Sequence, residues 1–391
     1  MLKILIQVML TFHFLCLGSC SFSQEVERSA MYLGGNNRLG VFPASQRIIV
    51  VPGYGKIHAL NADTGKVLWT RKLGWGNSSP AVIYRDMIFV SNESEYHFAL
   101  NLKTGHILWK FKSGGNAYAS ERGPIIADDV AYLVAAGDDK VYALDAFSGK
   151  KIWQAQVSGT PQNSPVIYKD NVLLCTSAGD FVSLDRKTGN QVWSNKLGKG
   201  RDLNYHVISN LSGQSLVLQD KVFTTYRRKL FCVDGSSGKI VWSFTKNNGI
   251  HFIAESQGII CLIVEKINGQ ELIALESQTG KILWQKQRIG KTYPHRIILH
   301  NKVIYFNDSL KNKYIIRGLE LKSGKELFEI PMQGEFFSMA IANNHIYIHS
   351  QWRDNDYNNQ ILIEALDFKT KSKQWEIKDI GIREIIVTEI E

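Results

Sequence analysis

The stretch Ala59-Leu60-Asn61-Ala62-Asp63-Thr64-Gly65-Lys66-Val67-Leu68-Trp69 decides the fold. An apolar run ends in turn formers, a glycine follows, and a second apolar run carries a tryptophan four residues after that glycine. Asn, Asp and Thr side chains bond the local backbone and hold a tight turn. Glycine supplies a positive φ at little steric cost. The pattern recurs as Thr104-Gly105…Trp109, Ser148-Gly149…Trp153, Thr188-Gly189…Trp193, Ser237-Gly238…Trp242, Thr279-Gly280…Trp284, Ser323-Gly324…Phe328 and, degraded, Thr370-Lys371…Trp375. Successive aromatics are 40 to 49 residues apart. A period of that length in strand-type sequence means a propeller.

Within one repeat, the runs 79–84, 87–90, 96–101 and 105–111 are short, rich in β-branched and aromatic residues, and bounded by turn formers. Such runs read as strands, and four antiparallel strands make a propeller blade. The expectation is an all-β chain: a single eight-bladed β-propeller of four-stranded antiparallel blades over residues 30–391. The aromatics Trp69, Trp109, Trp153, Trp193, Trp242, Trp284, Phe328 and Trp375 are expected to dock each blade on the next. In the outermost strand Ile107, Trp109 and Phe111 should point one way and Leu108 the other, with both faces covered by neighbouring blades. The strand-like segments near 31–41 and 381–390 should meet and seal the ring near the two weak copies, Phe328 and Lys371.

At the start, Lys3 precedes an apolar stretch from Ile4 to Leu17 and the small residues Gly18 and Ser19. This is the layout of a secretory signal peptide, here residues 1–23, cleaved before Cys20 or after Ser23. In the first case Cys20 is the lipidation candidate. The expected location is exported: periplasmic, or membrane-anchored through that lipid alone. Cys175, Cys232 and Cys261 show neither disulfide nor zinc spacing and should be buried free thiols. The formal net charge of +10 comes without a basic run, so no nucleic-acid partner is expected.

The Ala-Leu-x-x-x-Thr-Gly-x-x-x-Trp copies at 59–69 and 274–284 resemble the pyrroloquinoline-quinone-like propeller repeat. So does the opening Met31-Tyr32-Leu33-Gly34-Gly35-Asn36-Asn37-Arg38. The resemblance covers roughly residues 30–390 and implies one of two functions. Quinoprotein dehydrogenases bind the quinone and calcium at the ring mouth. BamB-type lipoproteins of outer-membrane assembly are non-enzymatic. In length and exported N-terminus the chain is similar to the second kind. It lacks the adjacent cysteines and the cytochrome Cys-x-x-Cys-His associated with the first. No cofactor is therefore expected, neither the quinone nor calcium. Nor is there a catalytic Gly-x-Ser-x-Gly, His-Glu-x-x-His or P-loop motif.

The channel mouth, lined just before each innermost strand, should carry Gly40, Ser79, Arg122, Ser164, Gln214, His251, His295 and Ser338. Arg122, Gln214, His251 and His295 are the candidates for a small anion or metal there. Asp128-Asp129 and Asp138-Asp139 fall where turns are needed. The two oversized repeats place candidate interaction loops at Arg201 and Tyr205, and at Trp352, Arg353 and Tyr357. Loops carry function, and Trp, Tyr and Arg are hot-spot types. The expected role is an exported, monomeric scaffold binding an envelope protein. The alternatives are a quinone-dependent dehydrogenase and a carbohydrate-binding module using Trp352 and Tyr357.

Overall fold

The Thr/Ser-Gly turns that follow an Asn or Asp are built by the same short hydrogen bonds. Asn61 Oδ1 accepts from the Asp63 N–H (3.1 Å), the Thr64 N–H (2.9 Å) and the Thr64 hydroxyl (2.9 Å). The Gly65 N–H reaches the Asn61 carbonyl at 2.8 Å. Asn101, Asp145, Asp185, Asp234 and Asp367 bond the Thr or Ser of their own turns in the same way.

The computed structural model describes residues 48–387, except 54, 75–80, 93, 115–122, 136–137, 163, 199–214, 247–248, 267–268, 290–296, 311–312, 333–334, 343, 354–358 and 379–385. The first strands are β1 (Ile48–Gly53), β2 (Lys56–Asn61) and β3 (Val67–Lys72). Blade I holds β4 (Val82–Tyr84), β5 (Met87–Ser91), β6 (Tyr96–Asn101) and β7 (Ile107–Lys112). Blade II holds β8 (Ile125–Ala127), β9 (Val130–Ala135), β10 (Lys140–Asp145) and β11 (Lys151–Gln156). Blade III holds β12 (Val166–Tyr168), β13 (Asn171–Cys175), β14 (Asp180–Asp185) and β15 (Gln191–Lys196). Blade IV holds β16 (Ser215–Leu218), β17 (Lys221–Tyr226), β18 (Lys229–Asp234) and β19 (Ile240–Thr245). Blade V holds β20 (Ile250–Ser256), β21 (Ile259–Lys266), β22 (Gly269–Glu276) and β23 (Ile282–Ile289). Blade VI holds β24 (Ile297–His300), β25 (Val303–Leu310), β26 (Lys313–Glu320) and β27 (Glu326–Met332). Blade VII holds β28 (Glu335–Ala342), β29 (His345–Arg353), β30 (Asn359–Asp367) and β31 (Lys373–Lys378), and β32 (Ile386–Val387) follows.

The expectation of eight equivalent four-stranded blades, one per repeat, is corrected. Seven blades consist of four consecutive strands, each an antiparallel meander. The remaining sheet, ordered β3-β2-β1-β32, is composite. Its innermost strand comes from the other end of the chain, pairing Ile49 with Val387 and Val50 with Ile386. The sequence motif marks the turn between third and fourth strands, so it counts outer hairpins. It carries no information about where the innermost strand comes from.

The outer strands depart from expectation as well. In each outer hairpin the register slips one residue before the docking aromatic; in blade I, Ala99 faces Trp109 while Leu100 faces Ile107. The slip is a β-bulge at Leu108, and a bulge interrupts the strict alternation of side chains. Trp109 turns into the seam, while Ile107 and Leu108 are left 41% and 48% exposed. The two faces are therefore not both covered at the start of this strand.

The core lies between neighbouring sheets. Ile57 and Ala59 of the composite sheet pack with Ile88, Val90 and Leu100 of blade I, and Ile316 and Tyr305 of blade VI pack with Ile346 and Ile348 of blade VII. Cys175, Cys232 and Cys261 are buried free thiols, with burial pushing Cys175 and Cys232 up to about 12.

Six seams are latched by the indole of a docking tryptophan. The indole N–H donates to a carbonyl of the next sheet: Trp69 to Leu102 (3.0 Å), Trp109 to Ala146 (2.8 Å), Trp153 to Arg186 (2.8 Å), Trp242 to Ser277 (3.2 Å) and Trp284 to Leu321 (2.9 Å). Trp375 donates to Ala62 (2.9 Å), joining blade VII to the composite sheet. The turn glycine of the next sheet lies flat on the indole. A Cβ on Gly149 would sit 2.6 Å from Trp109 Cδ2, and its φ is +68°.

The seam between blades VI and VII is built differently, and it uses both weak copies together. Phe328 replaces the tryptophan of blade VI, and Lys371 replaces the turn glycine of blade VII at φ +60°. The Lys371 ammonium lies 4.8 Å from the Phe328 ring centroid and 4.3 Å from that of Phe368. It donates to the Phe368 carbonyl, the role the indole N–H plays elsewhere.

Candidate functional site

Strand direction assigns every turn to one of two ends of the ring. In an antiparallel meander the connection between second and third strands lies at the end opposite the Thr/Ser-Gly turns. The crossovers from each outermost strand to the next sheet lie with it. The long hairpin of β29 and β30 runs toward this end.

Blades V to VII raise longer hairpins there. Their second and third strands run eight or nine residues, against five or six in blades I to IV. In blade VII, Trp352 pairs with Gln360 and Arg353 with Asn359. The flanking strands stop earlier, at Glu335↔Gln351 on one side and Leu362↔Lys378 on the other. Trp352 and Arg353 are therefore in a two-stranded projection rather than the loop expected of them.

Behind this end, buried polar side chains hold the crossovers. In blade I, His97 Nδ1 lies 2.6 Å from the Ser91 hydroxyl and Nε2 lies 3.2 Å from the Ser113 hydroxyl. Ser113 in turn donates to the Glu95 carbonyl at 3.3 Å. That direction makes Nε2 the donor and Nδ1 the acceptor of a neutral imidazole. Burial pushes the His97 pKa down to about 4. Beside it Tyr142 donates to Asp138, and burial with that bond raises Tyr142 to about 12. Between blades II and III, the Thr160 hydroxyl donates to Asp139 (2.8 Å) and the Ser158 hydroxyl to Asp180 (2.5 Å).

The acidic pairs are turn residues. Asp128, Asp129 and Asp139 have φ of 49°, 63° and 52°. Asp129 accepts from the Tyr84 hydroxyl at 2.8 Å, and Asp128 pairs with Arg186 at 2.7 Å. The pair thus bridges blades I, II and III. Among the described residues no three His, Cys, Asp or Glu side chains converge as a metal site.

Of the predicted mouth residues, Gly40, Ser79, Arg122, Gln214 and His295 lie outside the described residues, as do Cys20, Arg201, Tyr205 and Tyr357. Ser164 precedes β12 as expected, but Ser338 and His251 lie inside β28 and β20. The register steps from Ile250↔Val264 to Phe252↔Ile263, leaving His251 as a bulge. Sequence reading missed Phe147, the one aromatic two places before a turn glycine. Aligning the turns finds it: the equivalent positions are Asp63, Lys103, Lys187, Ser236, Gln278, Lys322 and Lys369.

Residues 25–163, 53–226 and 217–313 match the family model described as outer membrane protein assembly factor BamB. The chain belongs to that family. It is 22% identical over 299 residues to tetrathionate hydrolase of Acidithiobacillus ferrooxidans, a match covering 65% of this chain and 58% of the relative. It is 26% identical over 236 residues to outer membrane protein assembly factor BamB of Shewanella oneidensis, covering 57% of each. The chain thus spans under three-fifths of the length of these two relatives. The crystal structure of BamB from Moraxella catarrhalis superposes with a TM-score of 0.59 at 16% identity, covering 79% of this chain and 92% of that one. At that identity the likeness speaks to fold alone.

Proposed function

We propose that this chain is an exported, non-enzymatic propeller scaffold that binds a protein partner at the cell envelope, in the manner of an outer-membrane assembly factor. The observation that carries the reading is the blade VII hairpin, which raises Trp352 and Arg353 beyond the four-stranded body. A projecting pair of hot-spot residue types on a rigid sheet suits protein recognition. Family membership supports the assembly role, and the partner is then another envelope protein. Anchoring through Cys20 belongs to the same proposal: Cys20→Ser should release the chain from membranes.

The test replaces residues 352–360 with Asn-Gly, which joins Gln351 to its partner Ile361 and closes the hairpin at its base in register. Affinity purification from envelope extracts should recover a stoichiometric partner with the native chain and not with the variant. Equal recovery with both defeats the hairpin's role. Recovery with neither, joined to quinone-dependent dye reduction by the purified chain, replaces the scaffold reading with an enzymatic one. Glycan binding lost on Trp352→Ala replaces it with a carbohydrate module.

A further inference from the structure

The seam between blades VI and VII carries a third departure from the repeat. The last residue of an inner strand can reach the next sheet: the Tyr84 hydroxyl donates to Asp129 at 2.8 Å, and the Tyr168 hydroxyl lies 3.0 Å from that of Ser236. At this place blades I to VII carry Tyr84, Ala127, Tyr168, Leu218, Ser256, His300 and Ala342. Of these, only His300 titrates near neutrality. It stands at the seam held by the Lys371 ammonium.

His300 and Lys371 share one ring. The His300 imidazole is edge-on to Phe368, with centroids 5.2 Å apart and planes at 77°. The Lys371 ammonium lies 4.3 Å from the same Phe368 centroid. Phe328 at 4.8 Å and Tyr305 at 6.0 Å complete its seat. The Asn301 amide nitrogen lies 2.9 Å from His300 Nε2. An amide nitrogen only donates, so Nε2 accepts and carries no proton.

The surrounding groups do not offset a proton there. Lys302 stands beside His300 in its own turn. Tyr305 comes from β25 and is pushed up to about 12 by burial, so it stays neutral. From blade VII come Lys371 and, behind it, Asp367 and His345. Asp367 is committed to its own turn, accepting from the Lys369 and Thr370 N–H groups at 2.9 and 2.8 Å and from Asn344 at 3.2 Å. A proton on His300 therefore sets two cations against one ring, and it turns Nε2 into a donor facing the Asn301 donor. Burial first, and then Lys371, already hold the imidazole below its ordinary 6.5. An imidazole freed into water returns to that value. The open seam thus holds the proton more tightly than the closed one, and acid below 6.5 drives opening.

We propose that the seam between blades VI and VII is a pH-sensitive gate: in mild acid a proton on His300 expels Lys371 from its aromatic seat and parts the turn ends of the two blades, and loss of that proton closes them again. The seams on either side stay latched through Trp284–Leu321 and Trp375–Ala62. The gate does not depend on what the blade VII hairpin binds.

Hydrogen exchange of the full chain at pH 7.5 and 5.5 tests it, read as protection after correction for the intrinsic pH dependence of exchange. The turn amides 368–372 include the Phe368 N–H, bonded to the Asn344 carbonyl at 2.7 Å, and the Lys371 N–H, bonded to that of Asp367 at 2.9 Å. Their protection should fall about fivefold or more in acid, since each pH unit below the ordinary value weights the open form by up to about tenfold. The matched amides 321–325, at the Trp284 seam, should change less than twofold. His300→Leu should hold its protection at both pH values, and it should fold because leucine occupies the same place at position 218. Lys371→Met removes the charge and should lose most of the acid response whatever its protection at pH 7.5. In the native chain the His300 ring, identified in a histidine NMR titration by its absence from His300→Leu, should titrate below 6.5, and Lys371→Met should move it upward. Unchanged protection of 368–372 in acid overturns the proposal. An equal fall at 321–325, or a native response retained in His300→Leu or Lys371→Met, overturns it as well.

Discussion

Trp109 and Trp193 occupy the same place in two repeats and differ by one hydrogen bond. Trp109 donates to Ala146, whereas the buried Trp193 Nε1 has no partner among the described residues. At that seam Asn195 donates to the Ser237 carbonyl at 2.8 Å instead. Removing a buried donor strands its acceptor and costs about 1–3 kcal/mol. Trp109→Phe should therefore lose about that much more stability than Trp193→Phe in denaturant titrations. Equal losses would show that the indole bond contributes nothing beyond packing. His97 makes a second test at this scale. Its pKa is about 4 in the folded chain against an ordinary 6.5, so between these values the unfolded chain holds the proton and the native chain does not. Stability is intact above pH 6.5 and falls as pH drops toward 4, by on the order of 3 kcal/mol from this group. Unfolding measured at pH 7 and pH 4.5 should show a smaller loss in His97→Gln than in the parent. The turn carboxylates Asp145, Asp185, Asp234 and Asp367 are held below the usual range, first by hydrogen bonds from their Ser or Thr. What they contribute is likewise present at neutral pH and is lost in acid, below the ordinary carboxylate value.

At the scale of an element, the blade VI–VII seam shows what pattern reading can mistake. Phe328 and Lys371 read in sequence as two separately weakened copies. In the fold they are one interface, where the shorter aromatic leaves room for a lysine that takes over the indole's bond. The pair should therefore be coupled. Phe328→Trp alone brings an indole against Lys371, and Lys371→Gly alone leaves the Phe328 ring uncovered. The double variant restores the pairing of the other seams. A double-mutant cycle should give a favourable coupling of about 1–3 kcal/mol, whereas additive losses would separate the two residues. The Phe147 turn is the reverse case. Its deviation is the less visible in the sequence because the same turn position holds Asp, Lys, Ser or Gln in the other copies, and it is the Arg85 guanidinium over its ring that makes it stand out.

For the whole molecule, closure rests on two residues. Ile386 and Val387 complete a sheet whose other strands lie more than 300 residues away. Without them β1 becomes an open inner edge, and such edges invite pairing with another chain. Ile386→Pro removes a backbone donor from this two-residue strand. It should lower the melting temperature and promote association, seen by calorimetry and light scattering. An unchanged melting temperature would place closure in the Trp375–Ala62 latch instead.

The sequence alone determined the strand meander, the turn at each Thr/Ser-Gly and the burial of the three cysteines. These depend on side chains a few residues apart or on apolarity that any packing would bury. Only the tertiary structure decided which strand completes the first sheet, that a bulge turns Ile107 and Leu108 outward, and that Phe328 answers Lys371. It also placed Arg85 on Phe147, and raised Trp352 and Arg353 at the opposite end. Each of these joins residues from different blades or depends on how far a strand runs before its partner stops. Neither quantity is carried by a repeat that specifies one hairpin at a time.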